Sequence, residues 1–89
     1  MLKIHYTKHF EKDFKKAKQF KIKIEKLKEV ISLLVNEAQL PEKYKDHKLT
    51  GNYKNRRECH IEPDWLLIYK VENDQIIFER IGSHSELFK

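Results

Sequence analysis

The sequence predicts a small α+β fold, an antiparallel sheet core with two N-terminal helices packed on one face. Three observations lead there. Apolar residues recur at helical spacing through residues 8–36, strand-like runs joined by two-residue turns fill residues 56–81, and 89 residues leave room for one core, so residues 1–89 read as one domain.

Leu2, Ile4 and Tyr6 alternate with Lys3 and His5 as a short first strand ending at Thr7, and Thr7 is a good helix N-cap. Phe10, Phe14 and Ala17 follow at helical spacing, so residues 8 to about 18 form an amphipathic helix with its lysines outward. His5 and His9 read as surface residues. From Phe20 the positions Phe20, Ile24, Leu27, Ile31, Leu34 and Ala38 keep a three-four spacing, widened by Val30, Leu33 and Val35, which predicts a long helix ending near Asn36. In so short a chain that stripe is core rather than a coiled-coil seam. Residues 39–55, with Pro41, Gly51 and many polar groups, read as loop with a short strand at His47–Thr50.

The stretch RRECHIEPDWLLIYK joins two strand-like runs through a turn at Pro63 and Asp64. Counted with period two, Glu62 faces Trp65, His60 faces Leu67 and Glu58 faces Tyr69. A second turn at Asn73 and Asp74 starts QIIFERI, and the same count sets Tyr69 opposite Phe78 and Leu67 opposite Arg80, on the His60 face. The other face then holds Cys59, Ile61, Leu66, Ile68, Ile77 and Ile81, interrupted by Glu79, and is the one the helices cover. A slip of one residue would turn a strand's side chains over. Gly82 ends the third run and places His84 beyond it, beside Arg80, with Phe88 as an anchor or a stacking surface.

The net charge of +5 is uneven: residues 1–28 carry ten Lys against Glu11, Asp13 and Glu25, or +7, and the remainder is −2. A lysine-rich helix face is either simply solvated or attracted to a polyanion, whether nucleic acid or an acidic protein. The chain has no long apolar segment and its N-terminus lacks a signal-peptide core, so a cytoplasmic protein with no membrane partner is expected. Its single cysteine, Cys59, permits no intrachain disulfide and reads as a small buried hydrophobe.

His47, His60, Asp64, Arg80 and His84 converge at one end of this sheet, with Glu58, Trp65, Tyr69 and Phe88 near them. Three chemistries would use such a set. Three His and an Asp are zinc-ligand types, but no close H-x-x-x-H or C-x-x-C spacing occurs and an arginine argues against a cation, so no metal and no cofactor are expected. Metal-free RNA cleavage needs a base for the ribose 2′-OH, an acid for the departing 5′-oxygen and a cation on the phosphorane oxygens; imidazoles suit both proton transfers. A non-catalytic basic RNA-binding module is the third.

The segments YKDHKLTGNYK, RRECHIEPDWLLIYK and ERIGSHSELF resemble those of the YafQ-type toxins in the RelE/ParE superfamily of bacterial toxin–antitoxin systems, over about half the chain from Tyr44 to Phe88. The order of the N-terminal helices agrees with the small RelE-like fold. The resemblance implies a type II toxin, an mRNA interferase that enters the A site of the ribosome and cuts mRNA during translation. It further implies a cognate antitoxin that holds the toxin inactive, and contact with DNA only through that complex. Catalytic positions carry over to His47, His60, Asp64, Arg80 and His84, and RNA-positioning ones to Glu58, Trp65 and Phe88. Glu58 stands where some relatives have Asp, and Lys48 follows His47 where relatives often have Pro. The implied roles are His84 as acid, Asp64 or His47 as base, His60 orienting or sharing proton transfer, and Arg80 on the phosphate; Trp65 either stacks a base or packs. The ParE branch, which poisons DNA gyrase without nuclease chemistry, is the alternative class; the histidine set places the chain away from it and from RelE proper, which uses mainly Lys and Arg.

Overall fold

The computed structural model describes residues 1–49 and 55–88, so Thr50 and Gly51 of the predicted strand and loop lie outside the described residues. Strand β1 (Lys3–Tyr6) runs directly into helix α1 (Lys8–Ala17) through the expected cap: Thr7 is extended and its hydroxyl accepts the Phe10 N–H at 3.0 Å. The same hydroxyl donates to the Glu79 carbonyl at 2.7 Å, which ties the helix start to the sheet.

Helix α2 (Lys21–Val35) is shorter at both ends than its apolar stripe. Phe20 is the N-cap position and 48% exposed. At the other end Glu37 turns left-handed (φ 57°), with Ala38 N–H bonded to the Leu33 carbonyl at 2.9 Å and Glu37 N–H to that of Leu34 at 3.1 Å. That Schellman closure takes the chain off the helix before Ala38, which is exposed.

A short 3-10 turn (Glu42–Tyr44) and the two-residue strand β2 (His47–Lys48) precede the meander of β3 (Arg57–Glu62), β4 (Trp65–Glu72) and β5 (Gln75–Gly82), and helix α3 (His84–Leu87) follows. The sheet order is β1-β5-β4-β3-β2. Strands β2 to β5 pair antiparallel as expected, whereas β1 lies parallel to β5 and makes the whole sheet mixed.

Both two-residue turns form, and beside them the expected pairs hold: Glu62 with Trp65, Tyr69 with Phe78. Past each pair the register slips by one. A bulge at Ile61 sets His60 opposite Leu66 and Glu58 opposite Ile68, and a second at Glu79 sets Ile68 opposite Arg80 and Leu67 opposite Ile81. Each bulge places two residues against one, so β4 is turned over relative to the simple count.

The predicted apolar face is corrected accordingly. Cys59, Ile61 and Ile81 do lie in the main core, but with Trp65, Leu67, Tyr69, Ile76 and Phe78 under α1 and α2. Leu66 and Ile68 face the other way and form a second cluster with Leu87, joined by Leu49 and Phe88; Ile77, opposite Lys70, belongs to neither. The sheet is therefore covered on both faces, by the helical hairpin on one and by α3 on part of the other. No helix among the described residues is long and apolar enough to cross a membrane.

Candidate active site

The cross-strand rows define the site. One row reads His47, Glu58, Ile68, Arg80 across β2 to β5, and the next reads His60, Leu66, Gly82. Neighbouring strands are roughly 5 Å apart, so His60 and the residue from which α3 departs are separated by about 10 Å of apolar floor.

Glu58 lies at the centre, 5% exposed. Its Oε2 is 3.0 Å from His47 Nε2 and its Oε1 is 3.8 Å from His60 Nε2, and the two rings lie 6.1 Å apart. His47 reaches the carboxylate across the β2–β3 ladder, and His60 does so because residues two apart on a strand share a face.

The hydrogen-bond inventory constrains the proton. His47 Nδ1 is 2.7 Å from the Lys45 carbonyl, which can only accept, so Nδ1 carries hydrogen. Nε2 then meets a carboxylate oxygen at 3.0 Å. Either His47 is an imidazolium against a carboxylate, or Glu58 holds the proton and donates it to a neutral ring. Both forms contain one exchangeable proton between the same two atoms, so His47 and Glu58 handle it as a pair, with His60 Nε2 beside the other carboxylate oxygen.

His84 opens α3 on the same face. Asp64, in the β3–β4 turn, accepts the His84 backbone N–H at 3.1 Å through Oδ1, and the Phe88 ring lies 4.9 Å from the His84 ring one helical turn on. A four-residue helix cannot hold itself together. A capping box supports it: Ser83 Oγ accepts the Glu86 N–H at 3.3 Å and Glu86 Oε1 accepts the Ser83 N–H at 3.0 Å. Hydrogen bonds from Ser83, its backbone N–H first and its side chain second, hold the Glu86 carboxyl below its usual range. Leu87 and Phe88 seat the helix on Leu66 and Ile68.

Two expected site residues are engaged elsewhere. Arg80 shares the Glu58 row, but its Nε and Nη2 donate to Asp13 of α1 at 2.8 and 3.2 Å, and Asp13 also accepts the Ile81 N–H at 3.1 Å. Trp65 is 7% exposed in the core beneath the helices, its face capped by Lys23 Nζ at 5.5 Å, because β4 presents it to the helix side. It therefore packs, and is not on the histidine face. Burial raises the Cys59 thiol far above its usual range, as suits a buried hydrophobe.

Sequence reasoning gave Glu58 a positioning role where the geometry makes it central, and it passed over Asp13. The signal for Asp13 was present: with Phe10, Phe14 and Ala17 it completes an i, i+3, i+4, i+7 stripe, and a carboxylate in a core-facing stripe needs a partner. His47, Glu58 and His60 also offer three ligand-type atoms within 4.8 Å of one another. Spacing motifs do not reveal such a trio, since the strand ladder rather than a helix turn assembles it.

The chain that carries this face belongs to the bacterial toxins of type II toxin–antitoxin systems: the family described as "Bacterial toxin of type II toxin-antitoxin system, YafQ" matches residues 2–89. The chain is 44% identical over 86 residues to the mRNA interferase toxin YafQ of Escherichia coli K12, spanning 96% of this chain and 94% of that protein. It is similar to YafQ in the crystal structure of the Escherichia coli DinJ–YafQ complex, with 42% identity, full coverage of both chains and a TM-score of 0.90. A metal-bound toxin from Helicobacter pylori is likewise similar, with 42% identity, a TM-score of 0.91 and 99% and 100% of the two chains covered. The chain belongs to the YafQ toxin family.

Proposed function

We propose that this protein is an mRNA interferase that cuts message in the ribosomal A site by acid–base transfer through the ribose 2′-OH, and that a cognate antitoxin holds it inactive. The observation carrying the reading is the buried Glu58 carboxylate between His47 and His60 on the face where His84 opens α3.

In the reaction Glu58, or His60 beside it, takes the 2′-OH proton and the 2′-oxygen attacks the adjacent phosphorus. The P–O5′ bond breaks, His84 protonates the leaving 5′-oxygen, and the products are a 2′,3′-cyclic phosphate and a 5′-hydroxyl. Asp64 orients: its Oδ1 accepts the His84 N–H, which fixes where the acid stands. Phe88 covers one side of that ring, and Arg80, held by Asp13, adds positive charge from the Glu58 row. The donor types of His47, Glu58 and His60 also fit a divalent cation. Those three would hold it, and its chemistry when bound is to occupy the nitrogens and oxygens that otherwise exchange protons.

The lysine-rich helices suit a polyanionic surface such as ribosomal RNA. They also flank an apolar groove of about 630 Å³ between β1 and the helices, lined by Phe10, Phe14, Leu27 and Ile31 and rimmed by Lys15 and Lys18. An acidic, amphipathic antitoxin segment matches that groove in charge and polarity.

The test is in vitro translation of a defined message with the wild type and with His84→Ala, mapping cuts by primer extension. Site-specific cuts in frame with translation, lost in the variant while its circular dichroism is unchanged, are expected. Cleavage by His84→Ala at the wild-type rate would remove His84 from the mechanism, and an intact message with the wild type would refute the interferase reading.

A further inference from the structure

We propose that Asp46 is the positioning residue for His47, anchored through the sheet by Tyr69 and Arg57; this rests on the reading of His47 as part of the proton-transfer cluster. Strand β2 pairs with β3 through two residue pairs, His47 with Glu58 and Lys48 with Arg57. Two pairs at a sheet edge do not order a strand unaided. Leu49 N–H extends the pairing on one side by donating to the Arg56 carbonyl at 2.9 Å, and the residues just before the strand fix it on the other.

Tyr44 is buried in the main core, and Lys45 then turns left-handed (φ 46°, ψ 48°) and redirects the chain. Asp46 follows with Oδ1 accepting the Tyr69 hydroxyl at 2.7 Å and the Arg57 Nε–H at 3.1 Å. Arg57 and Tyr69 are cross-strand partners on β3 and β4, so the two donors converge on one oxygen from adjacent strands. Tyr69 is 2% exposed, and burial, then its bond to Asp46, raises its phenol far above the usual range, so the hydroxyl stays a donor. The same carboxylate raises the Arg57 guanidinium, which stays charged.

Alternation does the rest. Successive side chains of an extended segment point to opposite faces, so drawing Asp46 to the helix side sends His47 to the Glu58 side. The left-handed turn also presents the Lys45 carbonyl to His47 Nδ1 at 2.7 Å. Asp46 thus sets the face and height of the ring, Lys45 its tautomer, and Glu58 the contact of its far nitrogen. Asp46 touches no reacting atom in this scheme and acts through His47.

The experiment compares Asp46→Ala, Asp46→Asn and Tyr69→Phe in two assays: kcat and KM for cleavage of message in a translating system, and the imidazole nitrogen–proton NMR correlations of His47 in the protein alone. Asp46→Ala is expected to lower kcat by about 10- to 100-fold, the range for roughly an ångström of misplacement, with little change in KM and with shifted His47 signals. Tyr69→Phe removes one oxygen from a buried ring and should show the same pattern more weakly. Asp46→Asn keeps an acceptor oxygen and should retain most of the activity and the wild-type His47 signals. Wild-type kcat and wild-type His47 signals in both Asp46→Ala and Tyr69→Phe would overturn the proposal. If Asp46→Ala fails to fold, Tyr69→Phe decides. If the wild type cleaves no message, the NMR arm still decides the positioning claim separately from the functional one.

Discussion

Replacing Glu58 by Gln separates proton transfer from scaffolding. Because His47 Nδ1–H is committed to the Lys45 carbonyl, a neutral His47 offers Nε2 as an acceptor, and the introduced amide N–H can donate to it where the carboxylate now stands. The contact survives as a neutral hydrogen bond in place of a charge-assisted one, a difference of about 1 kcal/mol. The His47 side chain is 50% exposed, so solvent screening keeps that cost at the low end. In a protein of this size about 1 kcal/mol lowers Tm by roughly 4–8 °C. Cleavage should fall much further, by about 100- to 10,000-fold in kcat, because an amide neither takes nor releases the proton. Single-turnover cleavage in a translating system and a thermal melt by circular dichroism read the two effects separately. A variant that cuts within about threefold of the wild-type rate would take Glu58 out of proton transfer. A Tm drop beyond about 15 °C would show the carboxylate to be chiefly structural.

Asp13→Asn leaves one acceptor oxygen for the three donors that Arg80 and Ile81 present, and should cost about 1–3 kcal/mol, read as a lower urea midpoint; an unchanged midpoint would show that the network adds nothing. Glu86 predicts an acid limb. Its folded carboxyl lies below the ordinary value of 4.5, so its stabilisation is present above that value and is lost as pH falls through the folded one. Hydrogen exchange at the Phe88 N–H, which donates to the His84 carbonyl at 2.9 Å, should therefore quicken beyond its intrinsic pH dependence as Glu86 is protonated, and protection that stays constant through Glu86 protonation, followed by the NMR shift of its carboxyl carbon, would refute the link. Zinc ions should inhibit cleavage by occupying His47, Glu58 and His60, with activity restored by a zinc-selective chelator; inhibition that survives in a His60→Ala variant with residual activity would place the ion elsewhere.

Elements and turns were legible in the sequence because their determinants are local. Thr7 before Phe10 is a cap, Pro63-Asp64 and Asn73-Asp74 sit between alternating runs, and the Phe10 to Leu34 pattern keeps one period. The faces of β4 were not, because the bulges at Ile61 and Glu79 carry no glycine or proline to mark them. A clue existed in Trp65 to Tyr69, five consecutive apolar or aromatic residues that suit a strand buried on both sides rather than one with a polar face. His47, Glu58, His60, Asp64, His84 and Phe88 fall at the site in spite of the slip, since none of them lies on β4. Trp65 does lie there, and it is the residue that moved to the core.

Those irregularities also make the site workable. Without the Ile61 bulge Glu58 would face Tyr69, and the Tyr69 hydroxyl would stand on the histidine side, out of reach of an Asp46 drawn toward the helices. With it, Tyr69 anchors Asp46 from behind, while Leu66 and Ile68 come forward as the apolar floor on which Leu87 and Phe88 rest. The Glu79 bulge keeps Arg80 in the Glu58 row by opposing it to Ile68. One turned-over strand thus supplies a buried hydroxyl to one edge of the site and a dry seat to the other. A carboxylate beside such a floor acts in a low dielectric, where its bonds to imidazole are stronger and a misplaced proton costs more. The residues to which the proposed chemistry falls lie on β2, β3 and α3, but their spacing is set by β4, which contributes none of them.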